Sequence, residues 1–114
     1  MTDCIFCKIA AGDIPAEIVY QNEEIVAFRD VNPQAPQHVL IIPRRHIETI
    51  LDLTAEDVEL TGRMVLRAGK IARDLGLAER GFRLVFNCKK DAGQEVYHIH
   101  LHLLGGRRMN WPPG

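Results

Sequence analysis

The chain has 114 residues, 46% of them hydrophobic and 25% charged. That length and composition describe one domain spanning residues 1–114, and exclude a disordered chain, a collagen-like repeat and a disulfide mini-protein. Fourteen Lys and Arg against fifteen Asp and Glu leave a net charge of -1, and the basic residues are scattered, so no nucleic-acid partner is expected.

No apolar run approaches the ~18 residues of a membrane span, so no membrane partner is expected either. The start of the chain lacks the basic region and long apolar stretch of a signal peptide. Three cysteines, an odd number, fit reduced thiols in a cytoplasmic protein better than a disulfide framework.

In chain order, Gly12-Asp13-Ile14-Pro15 reads as a turn. The β-prone runs 17–20 and 25–28 flank Gln21-Asn22-Glu23-Glu24 and predict a hairpin. Residues 31–37 hold Pro33 and Pro36 and predict a loop. A strand at 38–42 stops at Pro43, and 44–53 reads as a short helical turn. Thr54-Ala55-Glu56-Asp57 resembles a capping box and opens a long helix. Its expected apolar stripe is Val58, Val65, Ala68, Ala72 and Leu75, with Gly76 as the left-handed stop. Gly62 and Gly69 each cost ~1 kcal/mol inside a helix, which close packing against another backbone would explain as well as simple tolerance. Strands follow at 82–87 and 95–104, separated by the polar loop 88–93. The expected fold is α+β, a mostly antiparallel five-stranded sheet with one long helix on one face.

The informative segment is Tyr97-His98-Ile99-His100-Leu101-His102-Leu103-Leu104. Strand side chains alternate, so His98, His100 and His102 share one face and Ile99, Leu101 and Leu103 the other. A core needs none of these imidazoles. One zinc cannot readily take all three, because the outer backbones lie ~13 Å apart at ~3.3 Å per residue. A neutral imidazole, with pKa ~6.5, is a nucleophile that needs no strong base. A neighbouring imidazole can stabilise phosphoryl charge or protonate a leaving group. Gly93, in the turn entering this strand, can bring backbone N–H groups near a phosphate or simply make an ordinary strand-entry turn. His38 opens another strand as a fourth imidazole. Asp30 is placed to accept ribose hydroxyls or simply to form a turn.

His98-Ile99-His100-Leu101-His102-Leu103-Leu104 resembles the His-φ-His-φ-His-φ-φ pattern of the histidine triad (HIT) family. Gly93–Tyr97, Gly105-Gly106-Arg107 and Trp111-Pro112-Pro113-Gly114 are similar to its Hint branch, the nucleoside phosphoramidases. Asn32–His38 and Ile41–His46 resemble a further family stretch. The resemblance implies a purine nucleotide substrate, AMP or GMP as product, and a homodimer whose halves continue one sheet. It makes His100 the nucleophile forming a nucleotidyl-histidine, His102 the phosphate and leaving-group contact, and His98 and His38 supports. It gives Asp30 the ribose, and Phe28, Val31, Phe6 and Ile9 the base. Asn87, Gln94 and the Gly93 and Val96 backbone would contact the phosphate or leaving group, and Trp111 the partner chain's site. Glu95 departs from the serine of many Hint proteins, which bears on leaving-group choice.

The resemblance implies that catalysis requires no cofactor. Cys4-x-x-Cys7 is half of a zinc site, which in some HIT relatives is completed by residues matching His46 and His98; the other reading is two reduced thiols. The competing functions are a dinucleoside polyphosphate hydrolase and a nucleotide-binding interaction module with incidental catalysis.

Overall fold

The computed structural model describes residues 3–114. Strands β1 (Ile18–Gln21), β2 (Ile25–Arg29), β3 (Gln37–Pro43), β4 (Phe82–Phe86) and β5 (Leu101–Gly105) form one antiparallel sheet in the order β1-β2-β3-β5-β4. Helix α1 (Ile5–Ala11) precedes the sheet, and α2 (Val58–Asp74) falls between β3 and β4. The expected architecture is present.

Strand alternation sends one set of side chains to each face. Ile25, Ala27, Val39, Ile41, Leu101 and Leu103 pack against α2 through Leu60, Met64, Ala68, Ile71 and Ala72. Val26, Phe28, Leu40 and Ile42 form a second cluster with Phe6 of α1. Strands β2 and β3 are therefore buried on both faces, which is why they read as nearly unbroken apolar runs.

The helix stripe needs a correction. Val58 is 69% exposed and Val65 43%. The buried line runs Leu60, Met64, Ala68, Ile71 and Ala72, a spacing of three to four residues that keeps one face on the sheet. Val58, Gly62, Val65 and Gly69 form a neighbouring, outward stripe. The capping box is at Thr54–Asp57 as expected, but it closes a single 3₁₀ turn, Ala55–Asp57, and α2 begins only at Val58. Gly76 does end the helix in the left-handed region, at φ 78°.

Two further differences concern the histidine segment and the N-terminus. Strand β5 begins at Leu101, not at residue 95. Residues ahead of it are outside the ladder: the Pro43 carbonyl is bound by the His98 ring at 2.7 Å, and the Ile99 N–H goes to the Ile47 carbonyl at 2.7 Å. Side-chain alternation nevertheless persists, since Ile99 joins Leu101 and Leu103 in the α2 cluster. Helix α1 was not expected. Its N-cap is a thiol, Cys4, accepting the Cys7 N–H, and its stop is Gly12 at φ 79°.

Met64 has no exposed surface in the α2 layer. Met64→Ala should lower the unfolding free energy by about 2–5 kcal/mol. Urea denaturation checks this, and a loss below about 1 kcal/mol would mean that the helix–sheet layer collapses around the cavity.

Candidate functional site

The second face of the sheet carries a cleft of about 360 Å³ between α1, β2 and the segment leading into β5. Phe6, Ile9, Phe28 and Leu40 give it an apolar end, and Asn87, Gly93, Glu95, His100 and His102 a polar one. Asp30 and Val31 stand at its rim, Val31 being 99% exposed. Phe6 meets Phe28 and His100 edge-on, with centroids 5.4 and 5.0 Å apart. A larger cleft of about 500 Å³ lies beside α2. Its walls include the pairs Arg63–Glu24 and Arg45–Asp57, charges that satisfy one another.

Backbone groups assign the proton on each imidazole. The His100 Nδ1–H donates to the His98 carbonyl at 2.8 Å, leaving Nε2 as the lone-pair nitrogen. The Gln34 N–H donates to His38 Nδ1 at 3.0 Å, so the His38 proton is on Nε2. That nitrogen lies 2.9 Å from His102 Nδ1, which must accept. His102 then carries its proton on Nε2. The cleft thus holds one nucleophilic nitrogen, on His100, beside one N–H donor, on His102, with ring centroids 4.9 Å apart.

Burial keeps these rings neutral. It pushes His100 below the ordinary histidine range, against the opposing pull of its bond to the His98 carbonyl and of Asp30 and Glu95. It lowers His38, against Asp30. His102 is pushed down to about 4 by burial, reinforced by His100 and His38. Asp30, His38 and His102 could be read as a metal site, since their donor atoms lie within 4.8 Å of one another. The Gln34 N–H argues otherwise: it occupies one His38 nitrogen and leaves the other protonated.

His98 is buried but is absent from the cleft wall. Its Nε2–H donates to the Pro43 carbonyl at 2.7 Å, which turns the Nδ1 lone pair toward the N-terminus. There Nδ1 lies 3.3 Å from Cys4 Sγ, 3.5 Å from Cys7 Sγ and 3.3 Å from His46 Nδ1. Cys7 Sγ is 3.3 Å from His46 Nδ1. Tetrahedral zinc, with ~2.3 Å bonds to sulfur and ~2.0 Å to nitrogen, separates its ligand atoms by roughly 3.3–3.8 Å. The four donors match that spacing. Burial, with Cys4 next to it, pushes the Cys7 thiol up, a cost of ionisation that a bound cation would offset. His46 Nε2 is buried without a hydrogen-bond partner, and the nearest carboxylate, Glu48 Oε2, stands 4.0 Å away, beyond hydrogen-bond distance.

Gln94 does not enter the cleft. It is buried, donating to the Glu48 and Val96 carbonyls and accepting the Lys89 N–H, so its amide is a loop brace. Trp111 is 84% exposed. Sequence reasoning missed Gln34 and Pro43, which act through backbone atoms that carry no side-chain signal. It also missed Ile5 and Leu40 in the cleft wall, which read as ordinary core.

A HIT domain family model matches residues 11–109. The chain is 53% identical over 107 residues to the purine nucleoside phosphoramidase of Escherichia coli strain K12, covering 94% of this chain and 90% of that protein. It is 50% identical over 112 residues to an uncharacterized HIT-like protein of Synechocystis, covering 98% and 97%. The crystal structure of a HIT family hydrolase from Legionella pneumophila superposes with a TM-score of 0.97 at 59% identity, covering 98% of this chain and all 100% of that one. A histidine triad protein from Clostridium difficile gives 0.94 at 40% identity, covering 96% of each.

Proposed function

The chain belongs to the HIT domain family, and we propose that it hydrolyses purine nucleoside 5′-phosphoramidates at the P–N bond. The observation that carries this reading is the His100 ring, whose Nδ1–H is held by the His98 carbonyl at 2.8 Å while its Nε2 lone pair is left for the cleft. The name of the Escherichia coli relative supports the substrate class.

In this reading the purine sits between Phe6, Ile9 and Phe28, and Asp30 accepts the ribose hydroxyls. Asn87 and the Gly93 and Val96 backbone face the phosphate, and Glu95 borders the leaving group. His100 Nε2 attacks the α-phosphorus and forms a P–N bond. The bond to the leaving amine breaks, and its electron pair goes to the amine nitrogen, which takes one proton drawn from solvent. The His102 Nε2–H stabilises the charge on the phosphoryl group. Water then attacks the nucleotidyl-His100, the P–Nε2 bond returns its pair to the ring, and one proton is released. The products are an amine and a nucleoside monophosphate.

Cys4, Cys7, His46 and His98 are the proposed ligands of a structural zinc, which would hold α1 to the sheet and takes no part in the reaction steps. A homodimer is the proposed assembly. It is supported by the outward stripe of Val58, Val65 and Leu66, all exposed, and by the free edge of β4, with Trp111 reaching the partner's cleft.

Hydrolysis of adenosine 5′-phosphoramidate by EDTA-treated protein tests the reaction. His100→Ala should lower kcat by about 10⁴-fold or more while AMP affinity, read by calorimetry, stays within about threefold; loss of binding along with turnover would remove His100 from the nucleophile's role. The pH profile of kcat/KM reads the neutral His100, whose lone pair attacks. Burial lowers its pKa below the ordinary histidine value, so activity is fully present above that ordinary value and is lost as pH falls through the lowered one. An acid limb near pH 6.5 would contradict the burial argument. Elemental analysis should find one zinc per chain in wild-type protein and almost none in Cys7→Ser, whose melting temperature should fall by roughly 10 °C. Equal metal content in both proteins would eliminate the site.

A further inference from the structure

The turn after β5 grips the loop before β3 at two points. Arg107 donates from Nε and Nη2 to the Gln34 carbonyl at 3.3 and 3.0 Å. Its remaining nitrogen, Nη1, donates to the Arg108 carbonyl at 3.1 Å, bracing the guanidinium in place. One residue earlier, Gly106 is left-handed at φ 94°, and a Cβ there would stand 2.8 Å from Pro36 Cβ. The loop is thus pinned from outside through Gln34 and Pro36. On its inner side, the same Gln34 offers its N–H to His38 Nδ1 at 3.0 Å.

That single N–H selects between two states of a chain of rings. With it in place, His38 keeps its proton on Nε2, His102 Nδ1 accepts, and His102 presents Nε2–H. Without it, His38 can carry its proton on Nδ1. His38 Nε2 then accepts, His102 Nδ1 donates, and His102 turns a lone pair toward the cleft. No heavy atom moves, yet a hydrogen-bond donor for a phosphoryl oxygen becomes an electron pair that repels it. Asp30 Oδ2, 3.5 Å from His38 Nε2, leans the same way but stands beyond good hydrogen-bond distance. The Gln34 N–H is the closer partner of His38, and Arg107 holds the carbonyl of that same residue.

We propose that Arg107 is a positioning residue that, with Gly106, fixes the backbone at Gln34 and thereby makes His102 an N–H donor. Neither residue lines the nucleotide cleft. The inference rests on the proposed phosphate site for its consequence, but its physical content is the proton position in the unliganded protein.

The experiment compares wild type with Arg107→Ala, Arg107→Lys and Gly106→Ala. ¹⁵N-histidine NMR distinguishes protonated from unprotonated ring nitrogens. Wild type should show His38 and His102 protonated on Nε2 alone. Arg107→Ala and Gly106→Ala, which disturb the loop by unrelated routes, should both show averaging between the two nitrogens. Arg107→Lys, keeping one donor, should fall between. In calorimetry, AMP should weaken about fivefold in Arg107→Ala, the worth of one neutral hydrogen bond, while adenosine keeps its wild-type affinity. The kcat for adenosine 5′-phosphoramidate should fall by a similar factor. Retention of the Nε2 proton on His102 in both alanine variants would overturn the proposal, as would equal weakening of adenosine and AMP, which indicates general loosening. The NMR arm needs no substrate, so it decides the inference even where wild-type protein turns over no phosphoramidate, a result that would sink the functional reading alone.

Discussion

Several imidazoles share one corner of this protein, and they can do so only because main-chain atoms assign their protons. A neutral imidazole has one donor and one acceptor. Packed ring to ring, a wrong tautomer sets two N–H groups or two lone pairs against each other. Here the Pro43 carbonyl fixes His98, the His98 carbonyl fixes His100, and the Gln34 N–H fixes His38 and through it His102. Side-chain partners could rotate away; these groups belong to a strand end, the bend ahead of β5 and a pinned loop. Burial completes the arrangement by disfavouring imidazolium at His38, His100 and His102.

The sheet separates stability from chemistry. Its α2 face is a conventional apolar layer, fully buried at Met64, Ala68 and Ala72. Its other face is covered by α1, a helix of seven residues. Such a segment has almost no helical stability of its own. It is held by Phe6 in the second cluster, by its Cys4 and Cys7 beside His46 and His98, and by Arg44 on the Ala10 carbonyl. Phe6 is therefore a core residue and a cleft wall at once. Anything that frees α1 removes both a packing surface and the apolar end of the cleft.

Much of this was legible in the sequence. The hairpin, the central strand, the long helix and the Gly76 stop follow from apolar periodicity and turn chemistry, which are properties of side chains. The misreadings share a cause. Val58 and Val65 mimic a buried stripe because aliphatic residues at helical spacing can mark either of two adjacent faces. Helix α1 has too few residues for a period, and its cap is a thiol rather than the usual hydroxyl or carboxylate. Gln94 carries the right chemistry for a phosphate contact and spends it on three backbone groups. Pairing, registry and main-chain hydrogen bonds are decided by the fold, so the Ile99 N–H could turn to the Ile47 carbonyl and leave the ladder without any sign near residue 95.

The three alternating histidines show how one sequence pattern becomes three chemical roles. Their common face is a local property of alternation, and it survives the bend at residues 96–98. What divides them is position along the cleft axis. His98 lies before β5, where Cys4, Cys7 and His46 converge, and its ring faces away from the cleft. It serves His100 only through its carbonyl. His100 lies at the junction, its Nδ1 spent on that carbonyl and its ring against Phe6. His102 lies within the ladder opposite Leu40, close enough to His38 to receive its proton. The side chain of His98 and its main chain thus belong to different sites two residues apart. A substitution at His98 would strip a donor from the Cys4–Cys7–His46 group and leave the carbonyl beneath His100 intact, so the two contributions can be separated by chemistry even though they share a residue.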